Sequence, residues 1–168
     1  LEFRRVLFRS IEKKGIVIQK YTHNTIIVDA PQGYIKFTAL KNTQNPSFQM
    51  RVSQKDEAIT LNAQNLNTTQ KYLVGTYDLE IFTLPRTYQR IEVNQSKTTF
   101  VDVVPAGTFQ YVVVKNTVGQ IFYERSPEKW EWVCNLDETV LEGKWTLQPG
   151  NYKVVYREKD QKSSAYTK

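Results

Sequence analysis

The chain has 168 residues and a formal net charge of +6, with 40% hydrophobic and 24% charged residues, a balance that excludes a disordered polyelectrolyte. A single cysteine and a single histidine exclude a disulfide scaffold and a zinc finger. No apolar run approaches the roughly 18 residues that a membrane helix needs, so we expect no membrane insertion by this chain.

The first ten residues differ from the rest of the chain. They mix three arginines with apolar residues and contain neither an alternating strand nor the apolar stretch of about 7–15 residues that a signal peptide needs. The run Leu7–Ser10 resembles the translated end of a sequencing adapter. We therefore expect residues 1–13 to be an artefactual or disordered arm. Without the first ten residues the net charge falls from +6 to +4.

The chain beyond this arm matches itself at an offset of 74 or 75 residues. Thr25–Phe37 aligns with Thr99–Tyr111, and Gly75–Leu79 aligns with Gly150–Val154. The matched blocks keep the same order and carry similar Pro and Gly turn residues, which is typical of tandem modules. The sequence therefore predicts two copies of one module.

Both copies have the two-residue periodicity of β-strands. Ile35 and Phe37, and further on Tyr77, Leu79 and Ile81, alternate with polar residues, so each strand has one buried side and one solvent-facing side. Proline and glycine separate these short runs, as in antiparallel sandwiches. The chain is predicted to be all-β, with two tandem immunoglobulin-like or prealbumin-like antiparallel β-sandwich modules.

The predicted modules span residues 14–88 and 89–168. Ala58–Tyr72 is polar and rich in Asn, Gln and Thr, so it is expected to form a strand followed by a long loop. By the repeat, Ser164–Lys168 maps onto the chain that leads into the strand containing Ile91. We therefore expect the second module to be truncated at its C-terminus.

A glycine stands two residues before a tyrosine at matching places in both copies, in Gly75-x-Tyr77 and Gly150-x-Tyr152. Glycine adopts a positive φ without steric cost. The tyrosine can then turn inward and return its hydroxyl to a nearby backbone group, which is a tyrosine corner. Tyr77 and Tyr152 are therefore predicted to be structural residues rather than ligand-binding ones.

Trp130, Trp132 and Cys134 alternate along one predicted strand, and Tyr123 lies nearby in the sequence. We expect the two Trp side chains to fill the core of the second module, with Cys134 as a small buried hydrophobe. The alternative is that Trp130 and Trp132, together with Tyr123, form a platform that stacks against sugar rings. Exposed, coplanar Trp side chains would favour this alternative.

The sequence does not predict an enzyme. Cys134 as a nucleophile would need a base within reach, and the only histidine, His23, lies in the other copy in a predicted turn. No other pairing of a nucleophile with a base stands out. We therefore predict no catalytic residues.

Charged residues likewise predict no ligand site. The acidic pairs Asp56-Glu57 and Asp137-Glu138 lack the spacing of a calcium-binding loop. Basic residues beyond the first ten positions are dispersed among acidic ones, unlike the clustered basic surface that binds nucleic acid. No metal, cofactor or nucleic-acid partner is expected.

Two family resemblances add to these inferences. Tyr77-x-Leu79-x-Ile81, followed by Pro85 and Tyr88, is similar to the last strand of collagen-adhesin B-type (Cna-B) modules of bacterial surface proteins. Those modules often carry a glutamate at the position of Ile81, where it promotes a Lys–Asn isopeptide bond. Ile81 cannot do so, and the resemblance therefore implies a sandwich fold and a surface stalk without the cross-link.

The closer resemblance covers most of the chain after residue 10. Tyr77–Tyr88, Gln95–Thr99, Trp130–Leu136 and Leu147–Arg157 resemble the region C-terminal to the von Willebrand factor A (VWA) domain in envelope proteins of Bacteroidetes. The metal site of a VWA domain needs an Asp-x-Ser-x-Ser loop, and this chain has none. The resemblance implies neighbours and a location, but no metal site here.

The expected function is a non-catalytic β-sandwich stalk or interaction region of a larger bacterial cell-envelope VWA protein. The resemblance implies the periplasm or the cell surface, with the upstream VWA domain as a neighbour. Unpaired sheet edges could bind a protein partner by strand addition. The alternative function is a carbohydrate-binding module that uses Trp130 and Trp132.

Overall fold

The computed structural model describes residues 11–39, 48–114 and 117–159, and the backbone alone of 166–167. The segment that resembles an adapter, residues 1–10, lies outside these ranges. The described residues form strands and no helix, which confirms the all-β class, and none of them forms a helix that could cross a membrane. The strands are β1 (Gln32–Ala39), β2 (Gln49–Gln54), β3 (Thr60–Asn65), β4 (Thr68–Leu73), β5 (Gly75–Ile81), β6 (Thr87–Val93), β7 (Thr98–Val103), β8 (Gly107–Val112), β9 (Thr117–Ser126), β10 (Lys129–Asn135), β11 (Glu142–Leu147), β12 (Tyr152–Glu158) and β13 (Tyr166–Thr167).

The same strand order occurs twice along the chain. The first half has a four-stranded sheet in the order β3-β2-β5-β6 and a three-stranded sheet in the order β4-β1-β7. The second half has a four-stranded sheet in the order β10-β9-β12-β13 and a two-stranded sheet in the order β11-β8. Each strand of the second half comes seven strands after its counterpart. The predicted pair of tandem β-sandwiches is therefore the architecture of this protein.

Contacts divide the chain into two compact units. The described residues of unit 1 are 11–38, 49–81 and 88–102, and those of unit 2 include 82–87, 103–114 and 117–159. Contacts thus group residues 89–102 with the first unit, whereas the boundary predicted from the sequence assigns them to the second module. The physical reason is strand pairing, because β6 adds to β5 and β7 adds to β1.

The registers of the central strands identify equivalent positions in the two units. Val52 on β2 lies opposite Leu79 on β5, and Ile121 on β9 lies opposite Val154 on β12. Because Leu79 and Val154 are aligned by the repeat, Val52 and Ile121 are counterparts. All four point inward, since residues two apart on a strand share a face.

Each unit has its own core between its two sheets. In unit 1, Ile35 and Phe37 on β1 and Met50 and Val52 on β2 are fully buried. Burying such side chains stabilises the fold by about 1.5–3 kcal/mol each. The core of unit 2 consists of Tyr111, Ile121, Val133, Cys134, Leu136 and Leu147.

Strands β3 and β4 occupy the segment in which a strand followed by a long loop was predicted, and they belong to different sheets of unit 1. Gln64 is 1% exposed. Its side-chain amide nitrogen donates to the carbonyl oxygens of Ile35 and Thr68, both at 3.0 Å. The Tyr72 hydroxyl donates to Gln64 Oε1 at 3.1 Å. The strand predicted in Ala58–Tyr72 is β3, but the long loop predicted after it is wrong, because Thr68–Leu73 forms β4 and pairs with β1.

Tyr77 and Tyr152 occupy equivalent places and make equivalent hydrogen bonds. The Tyr77 hydroxyl donates to the carbonyl of Leu73 at 2.7 Å, and the Tyr152 hydroxyl donates to the carbonyl of Gln148 at 2.5 Å. Each bond reaches back four residues around a glycine with a positive φ. Burial raises the pKa of Tyr152 to about 12. Both tyrosines tie the start of a central strand to the chain before it.

Candidate functional site

Exposed aromatic side chains cover the outer face of the sheet in unit 2. Trp132 is 54% exposed and Trp130 is 37% exposed. Trp132 on β10 lies opposite Phe122 on β9, and Phe122 lies opposite Lys153 on β12. We refer to Phe122, Trp130, Trp132 and Lys153 as the aromatic face. Contiguous exposed apolar side chains are a feature of many interaction surfaces.

A β-bulge explains why the two Trp side chains point outward. Trp132 lies opposite Phe122 and Cys134 lies opposite Ile121, so Val133 is an extra residue on β10. Val133 and Cys134 are both 8% exposed and belong to the core. The expectation that the Trp side chains share the core with Cys134 is therefore wrong, because strict alternation fails at the bulge.

Neighbouring groups hold the aromatic side chains in place. The indole Nε1 of Trp132 donates to Asn135 Oδ1 at 3.1 Å. The ammonium nitrogen of Lys153 lies 4.5 Å from the ring centre of Trp130 and 5.4 Å from that of Phe122. Both distances are within the range of cation–π attraction. The aromatic face is thus a contiguous surface with one positive charge among its rings.

A cleft with a volume of about 330 Å³ lies on the same sheet as the aromatic face. Its polar lining includes Gln120, Asn135, Glu138 and Arg157. Asn135 belongs to both features, because its side chain also accepts the bond from Trp132. The cleft therefore places polar side chains beside the aromatic face.

Tyr123 does not belong to the aromatic face. It packs against the core of unit 2, with its ring centre 5.3 Å from that of Tyr152. The guanidinium carbon of Arg125 lies 5.2 Å from the ring centre of Tyr123. Successive residues on a strand point to opposite faces, so Phe122, and not Tyr123, lies beside the two Trp side chains.

Cys134 and His23 lie in different units. Cys134 is buried, and its burial raises the pKa of the thiol, which disfavours the nucleophilic thiolate. His23 is exposed in unit 1. The environment of Cys134 is therefore that of a packed core side chain.

The acidic pairs singled out in the sequence use their carboxylates within the protein. Asp56 Oδ1 accepts from the Arg90 guanidinium at 2.6 Å. Asp137 Oδ1 accepts from the backbone N–H and the hydroxyl of Thr139, and these bonds lower the pKa of Asp137. Within residues 11–39, 48–114 and 117–159, no three His, Cys, Asp or Glu side chains form a group that could hold a metal ion.

No protein-family model matches the chain, and no curated protein matches it. Among solved structures, the chain is similar to the Bacillus anthracis TIE protein, with 18% identity and a TM-score of 0.32. That alignment covers 77% of this chain and 28% of the other, so this chain spans less than a third of that protein.

Sequence reasoning missed two members of the aromatic face, Phe122 and Lys153. Phe122 lies in the apolar run Ile121–Tyr123, in which composition alone does not distinguish the inner from the outer side chain. The repeat contains a usable signal, because Lys153 aligns with Asp78, a polar position of the first copy. The register then places Phe122 opposite Lys153 on the outer side.

Proposed function

We propose that this chain is a non-catalytic β-sandwich interaction region of a larger bacterial cell-envelope protein, and that the aromatic face is its binding surface. The observation that carries the proposal is the exposure of Trp132 and Trp130, at 54% and 37%. Tryptophan is strongly enriched among residues that dominate binding energy. Exposed aromatic side chains that are grouped on one sheet face are typical of an interaction site.

The resemblance of Tyr77–Tyr88 and Leu147–Arg157 to the region after the VWA domain of Bacteroidetes envelope proteins supports the proposed location. In such a protein, the two sandwiches would act as a stalk in the periplasm or at the cell surface and would present an upstream VWA domain. Two consecutive modules with the same strand order are well suited to this role, because a repeated unit extends a scaffold without a new fold.

Binding to cell envelopes tests the proposal. The 168-residue chain, labelled at its N-terminus, is titrated onto envelope fractions of Bacteroidetes cells. We expect saturable binding that the double variant Trp130→Ala/Trp132→Ala weakens at least about tenfold, because it removes the exposed rings. Phe100→Ala is the matched control, since Phe100 is a 62% exposed aromatic residue of unit 1, and it should bind as the unchanged chain does.

The proposal is contradicted if the double variant binds as tightly as Phe100→Ala. It is equally contradicted if the unchanged chain does not bind envelope fractions. Circular dichroism of each variant establishes that the strands are intact. Loss of binding together with loss of strand signal would call for the milder pair Trp130→Phe/Trp132→Phe, which keeps aromatic rings and should retain part of the affinity.

Carbohydrate binding is a second candidate, and the polar cleft beside the aromatic rings favours it. A sugar ring stacked on Trp132 would place its hydroxyls near the side-chain amides of Asn135 and Gln120, which line the cleft. Lys153 among the rings favours an acidic glycan, since its ammonium would attract a carboxylate. Such attraction weakens as salt screens the charges.

A glycan array, followed by electrophoresis through gels that contain neutral or acidic polysaccharide, tests this candidate. We expect retardation by an acidic polysaccharide that Trp132→Ala abolishes and that Lys153→Met reduces. Phe100→Ala should migrate as the unchanged chain does. The carbohydrate candidate is wrong if no glycan is bound, or if Trp132→Ala is retarded as strongly as Phe100→Ala.

A further inference from the structure

A run of exposed apolar side chains precedes the first strand of unit 1. The structure describes no strand from residue 11 to residue 31, although this stretch is rich in isoleucine and valine, which favour strands. Ile27 and Val28 are both 79% exposed, and Ile18 is 66% exposed. We refer to residues 16–30 as the apolar ribbon. Contacts group it with unit 1, yet these three side chains lie mostly in solvent.

The sequence of the apolar ribbon matches that of β6 and β7. Ile16–Ile18 aligns with Ile91–Val93 at an offset of 75 residues, and Thr25–Asp29 aligns with Thr99–Val103 at an offset of 74. The offset changes by one residue within the turn between these blocks. Because the two units match each other at the same offsets, the ribbon is a further occurrence of the same repeat.

The two segments also share the conformation of their turn. Tyr21 and Ser96 occupy the same place in the repeat and have φ angles of 56° and 57°. A positive φ is uncommon for a residue other than glycine. The Thr22 hydroxyl donates to the carbonyl of Gln19 at 3.2 Å. Lys97, the counterpart of Thr22, donates its N–H to the carbonyl three residues before it, also at 3.2 Å. The apolar ribbon therefore turns as the connection between β6 and β7 does.

In unit 1, β6 and β7 complete the sandwich, and we refer to them as the closing strands. β6 adds to the sheet that contains β5, and β7 adds to the sheet that contains β1. Val93 on β6 is 0% exposed and Val101 on β7 is 1% exposed. Their counterparts in the apolar ribbon are Ile18 and Ile27, which are exposed. The ribbon thus has the side chains of closing strands, but within the described residues these side chains cover no core.

The order of the chain assigns the apolar ribbon to a module before unit 1. The closing strands of unit 1 lead through Pro105 into β8, the first strand of unit 2. The apolar ribbon leads through Pro31, the counterpart of Pro105, into β1. Unit 1 already has both of its closing strands, so the ribbon is not needed to complete it. The ribbon is therefore placed to close a sandwich that comes earlier in the full-length protein.

We propose that the apolar ribbon forms the closing strands of a further β-sandwich module of the same type, which precedes unit 1 in the full-length protein. Residues 16–18 would complete the four-stranded sheet of that module, and residues 25–29 would complete its three-stranded sheet. Ile18 and Ile27 would then point into its core, as their counterparts do in unit 1. The inference depends on the repeat and not on the aromatic face, so either proposal can fail without the other.

A longer chain tests the proposal. Residues 31–90 are placed directly before residues 16–168, so that a second copy of β1–β5 precedes the apolar ribbon. Amide hydrogen exchange of residues 16–18 and 26–28 is compared with that in the 168-residue chain. We expect exchange to slow at least about tenfold in the longer chain, because strand pairing protects backbone amides. Equal exchange in two folded chains would overturn the proposal.

A matched pair of substitutions distinguishes the inner side of the apolar ribbon from its outer side. Ile27→Asp places a charge where the counterpart Val101 is buried, whereas the counterpart of Val28 is Asp102, which is exposed. In the longer chain we expect Ile27→Asp to lose the slow exchange, because a carboxylate would enter the core, and Val28→Asp to keep it. In the 168-residue chain the two variants should exchange alike, since both side chains are exposed there. Equal loss or equal retention in the longer chain would overturn the proposal.

Dilution distinguishes a preceding module from a second copy of the chain. We expect exchange of residues 26–28 in the 168-residue chain to be independent of protein concentration. Protection that rises with the concentration of this chain alone would assign the apolar ribbon to a second copy, which would overturn the proposal.

A replacement within the 168-residue chain is the deciding test if the longer chain does not fold. Residues 91–103 are replaced by residues 16–29, so that the apolar ribbon takes the place of the closing strands of unit 1. We expect amide exchange in β1 and β5 to stay within about tenfold of that in the unchanged chain. The same replacement with Ile27→Asp in the transplanted copy should lose this protection. Equal protection in the two replacements, or its loss in both, would overturn the proposal.

Discussion

The two four-stranded sheets match on their inner faces and differ on their outer faces. In unit 1, Arg51 on β2 lies opposite Glu80 on β5, and their Nη2 and Oε2 atoms are 2.6 Å apart. The counterparts in unit 2 are Gln120 and Val155, which also lie opposite each other. The same pair of backbone positions thus carries an ion pair in one unit and uncharged side chains in the other.

The next position along the sheet shows the same contrast. Asp78 on β5 accepts two hydrogen bonds from the Arg90 guanidinium, at 2.6 and 3.0 Å. Its counterpart on β12 is Lys153, which lies over the rings of the aromatic face. Inner positions must fill a fixed volume, whereas outer positions are free of that constraint. The two units therefore differ most in the side chains of their outer faces.

The largest effect should come from the inner faces. Phe37 is 0% exposed in unit 1, whereas Phe109 is only partly buried in unit 2. We expect Phe37→Ala to lower the free energy of unfolding of its unit by about 4 kcal/mol, and Phe109→Ala by about 2 kcal/mol. Amide exchange resolves the two units, and tryptophan fluorescence reports on unit 2. Equal losses of unfolding free energy would contradict the difference in burial between the two side chains.

A smaller effect on stability is expected at the position that carries an ion pair in unit 1 and uncharged side chains in unit 2. Arg51→Ala removes the ion pair of Arg51 with Glu80, whose side chain is 8% exposed. We expect a loss of about 2 kcal/mol in unit 1, below the range for fully buried pairs because Arg51 is partly solvated. Gln120→Ala at the equivalent position should change stability by less than about 0.5 kcal/mol. Urea unfolding checks both values, and similar losses would remove the contrast.

The tyrosine corners should behave alike in the two units. Tyr77→Phe and Tyr152→Phe each remove one hydroxyl and its bond to a backbone carbonyl. We expect each to lower the free energy of unfolding of its unit by about 1 kcal/mol. Thermal unfolding of the two variants provides the measurement. A loss in only one unit would show that the equivalent bonds do not have equivalent roles.

The smallest effect is expected only at low pH, where the stability of unit 1 depends on one carboxylate. The hydrogen bond from Arg90, followed by that from the Asp56 backbone, lowers the pKa of Asp78 from 3.8 to about 2. Because this pKa is lower in the folded state, the carboxylate stabilises unit 1 above about pH 4, and that stability is lost as the pH falls toward 2. Asp78→Asn should reduce the pH dependence of the free energy of unfolding of unit 1 between pH 4 and 2. Lys153→Met should leave that pH dependence unchanged. Urea unfolding of the two variants between pH 4 and 2 provides the measurement.

Features that depend on local residue patterns could be predicted from the sequence. The alternation of Ile35 and Phe37 indicates a strand, and the hydroxyls of Tyr77 and Tyr152 bond where the Gly-x-Tyr pattern places them. The burial of Gln64 on β3 could not be predicted in this way. It depends on the backbone carbonyl of Ile35 on β1, which lies 29 residues away in the chain.

The candidate site could be predicted only in part. Trp130 and Trp132 stand out in the sequence, but their side of the sheet depends on the bulge at Val133. A bulge depends on pairing with the neighbouring strand, and one sequence does not reveal that pairing. Composition alone could not distinguish Phe122 from Tyr123, because both are aromatic and adjacent.

The bulge at Val133 has an evolutionary consequence. An added residue uncouples the two ends of a strand, so that one end can turn its tryptophans to solvent while the other keeps its thiol inside. Gaining or losing a single codon in such a hairpin can thus redirect several side chains at once. A duplicated scaffold could in this way acquire a recognition surface in one step, without altering the residues that hold its sheets together.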